Sequence, residues 1–175
     1  MWLRLICCGV VGLLVACAPL DYWEKPATSE IARLETIRLL PVIYSTGQVF
    51  PQEQQRIDTY LRQELTMELG RKGYRVLPEA PAATADADLQ VMIYNMADGR
   101  LGLDGRDYID PLMPEIRLYA RVRLARSSDG AVLLAGKTQG IGTVDYPRPF
   151  AVDTPYSQPQ RDLGRRISAL FPPRS

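Results

Sequence analysis

The side chains that most often carry out chemistry in enzymes are scarce in this chain of 175 residues. It has no histidine, so there is no imidazole to act as a general base near neutral pH. This excludes Ser-His-Asp and Cys-His catalysis and zinc sites built on histidine. The three cysteines, Cys7, Cys8 and Cys17, lie in or at the edge of an apolar N-terminal run. No pair of carboxylates has a spacing that predicts catalysis, and we expect no catalytic residue and no enzyme.

A second set of residues with chemical potential lies in the segment Glu115–Arg126. Apolar and polar side chains alternate there, which predicts a strand with one buried face. The other face carries the candidate binding residues Arg117, Tyr119, Arg121 and Arg123. Guanidinium groups suit phosphate well, so this face could meet an anionic lipid or a glycan phosphate. The same residues also suit a solvated sheet face, and the sequence favours that second interpretation.

A long loop is predicted between residues 98 and 114, with three glycines, four aspartates and two prolines. Aspartates near glycines can bind calcium, but no glutamate follows at the offset that an EF-hand requires. Arg100 and Arg106 also offset the negative charge of the loop. We therefore expect no metal site and no cofactor. A loop of this kind is more typical of contact with a partner protein.

The charge balance argues against nucleic acid as a partner. The chain has 21 Lys and Arg residues and 20 Asp and Glu residues, a formal charge of +1. Its first sixteen residues contain Arg4 and no acid, so 20 basic residues face 20 acidic ones once they are removed. Binding to nucleic acid needs several cations that neutralise phosphates, and a neutral chain is a poor candidate for it.

The N-terminal segment has the layout of a signal peptide. Met1–Arg4 is short and weakly positive, and Leu5–Ala16 is an apolar run too short for a permanent membrane helix. The run leads into Leu14–Cys17, with the sequence Leu-Val-Ala-Cys, which resembles the lipobox of bacterial lipoproteins. The resemblance implies a signal peptide at 1–16, a diacylglyceryl group on the Cys17 sulfur, cleavage between Ala16 and Cys17, and acylation of the new amino terminus.

The lipobox resemblance also implies a location. Cys17 is followed by Ala18, whereas in enterobacteria an aspartate at this position retains a lipoprotein at the inner membrane. We therefore expect a lipid anchor in the outer membrane, with the domain facing the periplasm. Residues 17–34 contain two prolines and no sustained periodicity, which is typical of a tether between the lipid and the fold.

A single predicted domain follows over residues 35–172. Thr36–Tyr44 is rich in aliphatic and β-branched residues and predicts a strand, in which Pro41 requires an edge or a bulge. Apolar residues recur every four positions between residues 52 and 72. This spacing predicts an amphipathic helix, and Gly73 suits its C-terminal cap.

The remaining elements complete an α+β two-layer sandwich. They are strands at 74–77, 89–94, 115–126 and 131–146 and a helix that follows a capping box at Ser157. The last two strands form a hairpin through Ser127–Gly130. Gly136, Gly140 and Gly142 in the returning strand indicate bulges or close backbone contacts, and we assign them to strand bulges. We expect a mostly antiparallel sheet of about four to five strands with two helices on one face.

The order of these elements resembles small envelope lipoproteins of Gram-negative bacteria. The residues that carry the resemblance are Ile37–Val42, Leu61–Leu65, Gly73–Leu77 and Ala85–Val91. The pattern is similar to the lipopolysaccharide-assembly lipoproteins (LptE-like), to a widespread lipoprotein domain with an Ala-Asp-Ala-Asp-Leu strand entry, and to lipoproteins that activate cell-wall synthases. An LptE-like protein would support an outer-membrane translocon and contact lipopolysaccharide, for which the basic strand face is a candidate surface.

These patterns and resemblances predict a non-enzymatic lipoprotein that acts by protein–protein contact in envelope assembly or transport. The alternatives are a module that binds an anionic lipid or glycan, and an activator of a cell-wall synthase. The expected partners are the membrane, reached through the lipid on Cys17, and an envelope protein. Lipopolysaccharide or another anionic lipid is the further ligand that the basic face suits.

Overall fold

The computed structural model describes residues 22–23, 28–45, 51–77, 85–98, 115–143 and 157–174. The predicted signal peptide, Cys17 and residues 99–114 lie outside the described residues. The described strands are β1 (Tyr22–Trp23), β2 (Thr36–Leu39), β3 (Ile43–Tyr44), β4 (Arg75–Leu77), β5 (Ala87–Asp98), β6 (Glu115–Arg126) and β7 (Val132–Thr143). The described helices are α1 (Thr28–Ile31), α2 (Pro51–Arg71) and α3 (Ser157–Ala169). None of these helices is long and apolar enough to cross a membrane.

The strands form one mixed sheet in the order β1-β7-β6-β5-β2-β4, and β3 pairs with β5 beyond the end of β2. The neighbours β5, β6 and β7 are antiparallel, as the hairpin signal predicts, and β1 is antiparallel to β7. In contrast, β2 is parallel to β4 and β5, and β3 is parallel to β5. The α+β sandwich is confirmed, but the sheet is mixed, and the described residues contribute seven strands to it. The reason is that α2 connects β2 to its neighbour β4, and such a crossover returns the chain in the same direction.

Pro41 separates the first predicted strand into β2 and β3. The pairing with β5 continues across the break, because the Leu40 N–H donates to the Leu89 carbonyl at 3.0 Å. The Gln90 side-chain amide donates to the Pro41 carbonyl at 2.6 Å. Proline has no N–H to give to a ladder, and the interruption confirms the irregularity predicted at this position.

The long helix α2 packs on the sheet through one apolar face. Its most buried side chains repeat every four residues and are those of Ile57, Leu61, Leu65 and Leu69. Beyond Arg71 the chain forms a Schellman motif, in which the Tyr74 N–H donates to the Leu69 carbonyl and the Gly73 N–H to the Gly70 carbonyl. Gly73 has a φ of 89°, a left-handed conformation that glycine adopts without strain. The predicted cap is confirmed.

The second long helix, α3, lies against β7 where two glycines leave the strand without side chains. A Cβ atom on Gly140 would stand 1.9 Å from the Pro159 carbonyl oxygen, and one on Gly142 would stand 2.4 Å from Pro159 Cδ. Any side chain at these positions would therefore displace the helix. The assignment to strand bulges is wrong at Gly140 and Gly142, which pair with β6 without a register shift and allow the close contact with α3. Leu163 and Ile167 of α3, and Phe171 two residues beyond its end, are buried in the core.

The two long helices cross at another glycine. A Cβ atom on Gly164 would stand 2.8 Å from Glu64 Cγ of α2. The Glu64 residue is 5% exposed, and its carboxylate lies 3.5 Å from the Arg165 guanidinium. Gly164 lowers the intrinsic stability of α3, but its missing side chain gives Glu64 room between the helices.

The strand β1 lies at one edge of the sheet, inside the stretch that the sequence assigns to a tether. Tyr22 and Trp23 pair with Lys137 and Gly136 of β7. Directly opposite residues of an antiparallel pair share a face, and Trp23 is half-buried against the core. Its indole therefore takes up space beside Gly136, which has no side chain of its own. The chain joins the fold only five residues after Cys17.

Candidate functional site

The candidate binding residues lie on the sheet face that is turned away from α2 and α3. The other face of β6 is at most 2% exposed and belongs to the core, through Ile116, Leu118, Ala120, Val122 and Leu124. Because side chains alternate along a strand, Arg117, Tyr119, Arg121 and Arg123 share the opposite face. We call the sheet surface around these four residues the open face. Arg121 and Arg123 are exposed there, and Arg117 and Tyr119 are half-buried. Gln139, opposite Tyr119 on the same face, is buried, so the exposed part of the open face is the end around Arg121 and Arg123.

Strand pairing brings a further cation to the open face. Lys137 of β7 lies directly opposite Arg121 and is exposed. Sequence reasoning missed Lys137, because the glycines of β7 leave that strand without the apolar alternation that assigns side chains to faces. The signal that could have found it is the hairpin itself, since the register of β6 and β7 fixes which residues face each other.

Within the described ranges, none of Arg121, Arg123 and Lys137 forms an ion pair with a carboxylate. The Arg123 guanidinium donates to the Gly130 carbonyl at 3.3 Å, a neutral acceptor that leaves the net charge in place. The open face therefore presents three exposed cations on two adjacent strands.

An aromatic pair supports the middle of the open face. The β5–β6 register shifts between Ile93 and Asn95, and Tyr94 lies at this irregularity. The Tyr94 ring is 6.2 Å from the Tyr119 ring, and the Arg121 guanidinium carbon is 5.4 Å from the Tyr94 centroid. A guanidinium over an aromatic ring is attracted by the negative face of the ring. This contact holds Arg121 in place without neutralising it.

A paired site lies next to these cations, on β2 and β5. Arg38 donates two hydrogen bonds to the two carboxylate oxygens of Asp88, at 2.7 and 2.8 Å. These bonds from Arg38 lower the pKa of the Asp88 carboxyl, against an opposing effect of burial, and a hydrogen bond from the Ser127 side chain lowers it further. The Asp88 charge is thus engaged by Arg38 and does not offset Arg121, Arg123 or Lys137.

A shallow cavity of about 470 Å³ lies at the end of the sheet next to α1. It is lined by Glu30, Arg33, Leu34, Ala85, Asp86, Arg126, Ser128 and Leu133. Arg126 forms ion pairs with Glu30 and Asp129. The Asp86 carboxylate accepts hydrogen bonds from the Glu35 and Thr36 backbone at 2.7 and 2.8 Å. The charged groups of this cavity are therefore mainly engaged in holding the fold together.

Other predicted sites can be placed only in part. The described residues contain no group of three His, Cys, Asp or Glu side chains that could hold a metal ion. The proposed cleavage site between Ala16 and Cys17 lies outside the described residues. So does the aspartate-rich loop beyond Asp98. The lipid attachment at Cys17 and the domain boundaries at residues 35 and 172 stay predictions.

Comparison with known proteins relates the chain to solved structures. A PelC dodecamer (L103M variant) from Paraburkholderia phytofirmans superposes with a TM-score of 0.55 at 16% identity, over 87% of this chain and 96% of that chain. Lipoprotein GNA1162 from Neisseria meningitidis gives a TM-score of 0.45 at 16% identity, over 78% and 94%. A DUF4136 family protein from Bacteroides thetaiotaomicron gives 0.44 at 12% identity, over 89% and 98%. No protein-family model and no curated protein matches the chain. The likeness to PelC shows a shared fold.

Proposed function

We propose that this protein is a lipid-anchored lipoprotein of the bacterial envelope that acts by binding another envelope protein and catalyses no reaction. The observation that carries the proposal is the position of the lipobox-like segment Leu14–Cys17, five residues ahead of a strand that belongs to the sheet. Lipid and domain would form one unit held at a membrane surface, because more than one acyl chain on Cys17 gives stable anchoring.

The fold supports a role in assembly. PelC from Paraburkholderia phytofirmans has the same fold and forms a dodecamer, so this architecture can build a complex of many subunits. The described sheet ends in the short edge strands β1 and β4, and an edge strand is a place where another protein can add a strand. The absence of histidine from the sequence supports a non-enzymatic role, because the most common general base is missing.

Two narrower forms of the proposal follow from the resemblances in the sequence. In the LptE-like form, the protein supports an outer-membrane translocon and contacts lipopolysaccharide. In the second form, it activates a cell-wall synthase. Ala18 after the lipidated cysteine favours the outer membrane with the domain facing the periplasm, where both kinds of partner can be reached.

Affinity purification of the tagged protein from detergent-solubilised membranes tests the proposal. We expect an envelope protein to co-purify in near-stoichiometric amount, and the Cys17→Ser variant to recover much less of it. A translocon subunit supports the LptE-like form, and a cell-wall synthase supports the activator form. Recovery of no envelope protein, together with a normal envelope in a deletion strain, would contradict the proposal.

A second candidate function is binding of an anionic lipid or glycan by the open face. The observation that favours it is the set of three exposed cations, Arg121, Arg123 and Lys137, which have no acidic partner in the described residues. Anion binding by the open face is compatible with binding of an envelope protein, because a lipoprotein can bind a protein with one surface and an anion with another.

A further inference from the structure

The pairing of β1 limits how far the domain can lie from its proposed anchor. Tyr22 is five positions after Cys17, and five extended Cα-to-Cα steps span at most about 18 Å. A tether that ended at Thr36 would allow about 65 Å, which would let the domain turn freely above the membrane. The short segment instead keeps the β1–β7 edge of the sheet close to the bilayer surface.

The open face begins at this same edge. Tyr22 lies opposite Lys137, and Lys137 lies opposite Arg121 on the next strand. Neighbouring strands are about 5 Å apart, so both cations lie within roughly 30 Å of Cys17 along the chain and across the sheet. A chain anchored at Cys17 would therefore allow the cations of the open face to reach the lipid headgroups.

The two sides of the sheet differ in how their cations are balanced. On the helices, Arg62 pairs with Asp58, Arg71 with Glu68, and Arg166 with Asp162. Among the described residues of the helices, Arg56 is an exposed arginine without an ion pair. On the open face, Arg121, Arg123 and Lys137 have no such partner within the described residues. An anionic surface at the end of a short tether would attract the open face more strongly than the helical side.

We infer that the open face docks onto the anionic headgroups of the membrane that holds the Cys17 anchor. The sheet then lies against the bilayer surface, and α2 and α3 face away from it, free to contact a protein partner. The inference rests on the proposed lipid anchor and adds to it a fixed orientation of the domain.

Electrostatics sets the size of the effect. Each basic side chain close to an anionic bilayer favours the docked state by about fivefold at physiological salt. Three such residues together favour it by roughly a hundredfold, and the preference falls steeply when salt shortens the screening length. Docking is therefore expected to depend on lipid charge and on ionic strength. Membrane binding through the lipid anchor alone should depend on neither.

A single fluorescent label can report the orientation. After cleavage the mature chain would have one cysteine, Cys17, and its sulfur would be blocked by the diacylglyceryl group, so an introduced cysteine is the only free thiol. Ala135→Cys places a label on the open face, since Ala135 lies opposite Arg123. Gln63→Cys places a matched label on an exposed position of α2. The lipidated protein is reconstituted into vesicles that carry a headgroup-attached quencher.

The expected result is strong quenching at Ala135→Cys and weak quenching at Gln63→Cys in vesicles with about 30% phosphatidylglycerol. The difference should shrink in pure phosphatidylcholine and at about 0.5 M salt. Replacement of Arg121, Arg123 and Lys137 by glutamine should abolish it. The same charge change on the helices, with Arg62, Arg71 and Arg166 replaced by glutamine, should leave the difference intact.

Vesicle flotation separates this inference from the proposed anchor. If the protein floats with both kinds of vesicle but the two labels are quenched equally, the anchor stands, the docking of the open face is overturned, and that face is left to a protein partner. If the protein floats with neither kind and Cys17 is found unmodified, the anchor fails and the inference fails with it.

Discussion

Trp23 lies directly opposite Gly136 across the pairing of β1 with β7. The glycine leaves the space that the half-buried indole uses against the core. The pairing brings residues close to the N-terminus into the sheet, six positions after Cys17. A lipid on that cysteine would consequently hold the β1–β7 edge of the sheet near the membrane, and not only the N-terminus of the chain.

The position of Trp23 predicts the intrinsic fluorescence of the protein. Trp2 belongs to the predicted signal peptide, so Trp23 is the only tryptophan of the mature chain. We expect blue-shifted emission in the native state, because the indole packs against apolar side chains. The emission should shift to the red at the same denaturant concentration at which far-UV circular dichroism is lost. Red-shifted emission from the native protein would contradict the docking of β1.

The packing of α3 on β7 predicts opposite effects of two glycine-to-alanine changes. Gly140→Ala should lower the free energy of unfolding by about 1–3 kcal/mol, because its Cβ would collide with the Pro159 carbonyl. Gly70→Ala is the control, since no atom lies within 4 Å of its added Cβ, and it should raise stability by about 0.5–1 kcal/mol. Urea denaturation measures both. Equal effects of the two changes would refute the contact.

The lowered pKa of the Asp86 carboxyl leads us to expect that the protein loses stability in acid. Burial raises the pKa of this carboxyl, but hydrogen bonds from Thr36 and Glu35 outweigh that effect and leave the pKa below its ordinary value. A carboxyl with a lowered pKa in the folded state stabilises the protein above about pH 4, and this contribution is lost as the pH falls through the folded pKa.

Asp86→Asn should therefore cost about 1 kcal/mol at neutral pH, and the difference from the natural protein should shrink towards pH 2–3. Denaturation at a series of pH values measures this difference. Glu68→Gln is a control at neutral pH, where loss of its surface ion pair with Arg71 should cost about 0.5 kcal/mol or less. A constant gap between Asp86→Asn and the natural protein across the acid range would count against the role of Asp86.

Local signals in the sequence account for much of the fold. The four-residue repeat of α2 and its Gly73 cap are set within one helix, and the alternation of β6 is set within one strand. Sequence alone therefore assigns Arg117, Tyr119, Arg121 and Arg123 to one face. The parallel pairing of β2 with β4 and β5 depends on how the crossover packs, which no short window of sequence contains.

Other features depend on contacts between distant residues. β1 is two residues long and has no periodicity, so only its pairing with Lys137 and Gly136 reveals it. The glycines of β7 allow either a bulge or a close contact until α3 is seen against Gly140 and Gly142. The same glycines interrupt the apolar alternation of β7. Only the register of β6 and β7 therefore shows that Lys137 lies beside Arg121 on the open face.

Mass spectrometry of the protein purified from membranes shows whether Cys17 carries the lipid that we propose as the anchor of this domain. We expect a mature chain that begins at Cys17, with a diacylglyceryl group on its sulfur and an acyl chain on its amino group. We also expect that Cys17→Ser accumulates as a full-length, unlipidated precursor. A membrane-purified chain with an unmodified Cys17, or normal processing of the Cys17→Ser variant, would contradict the proposed anchor.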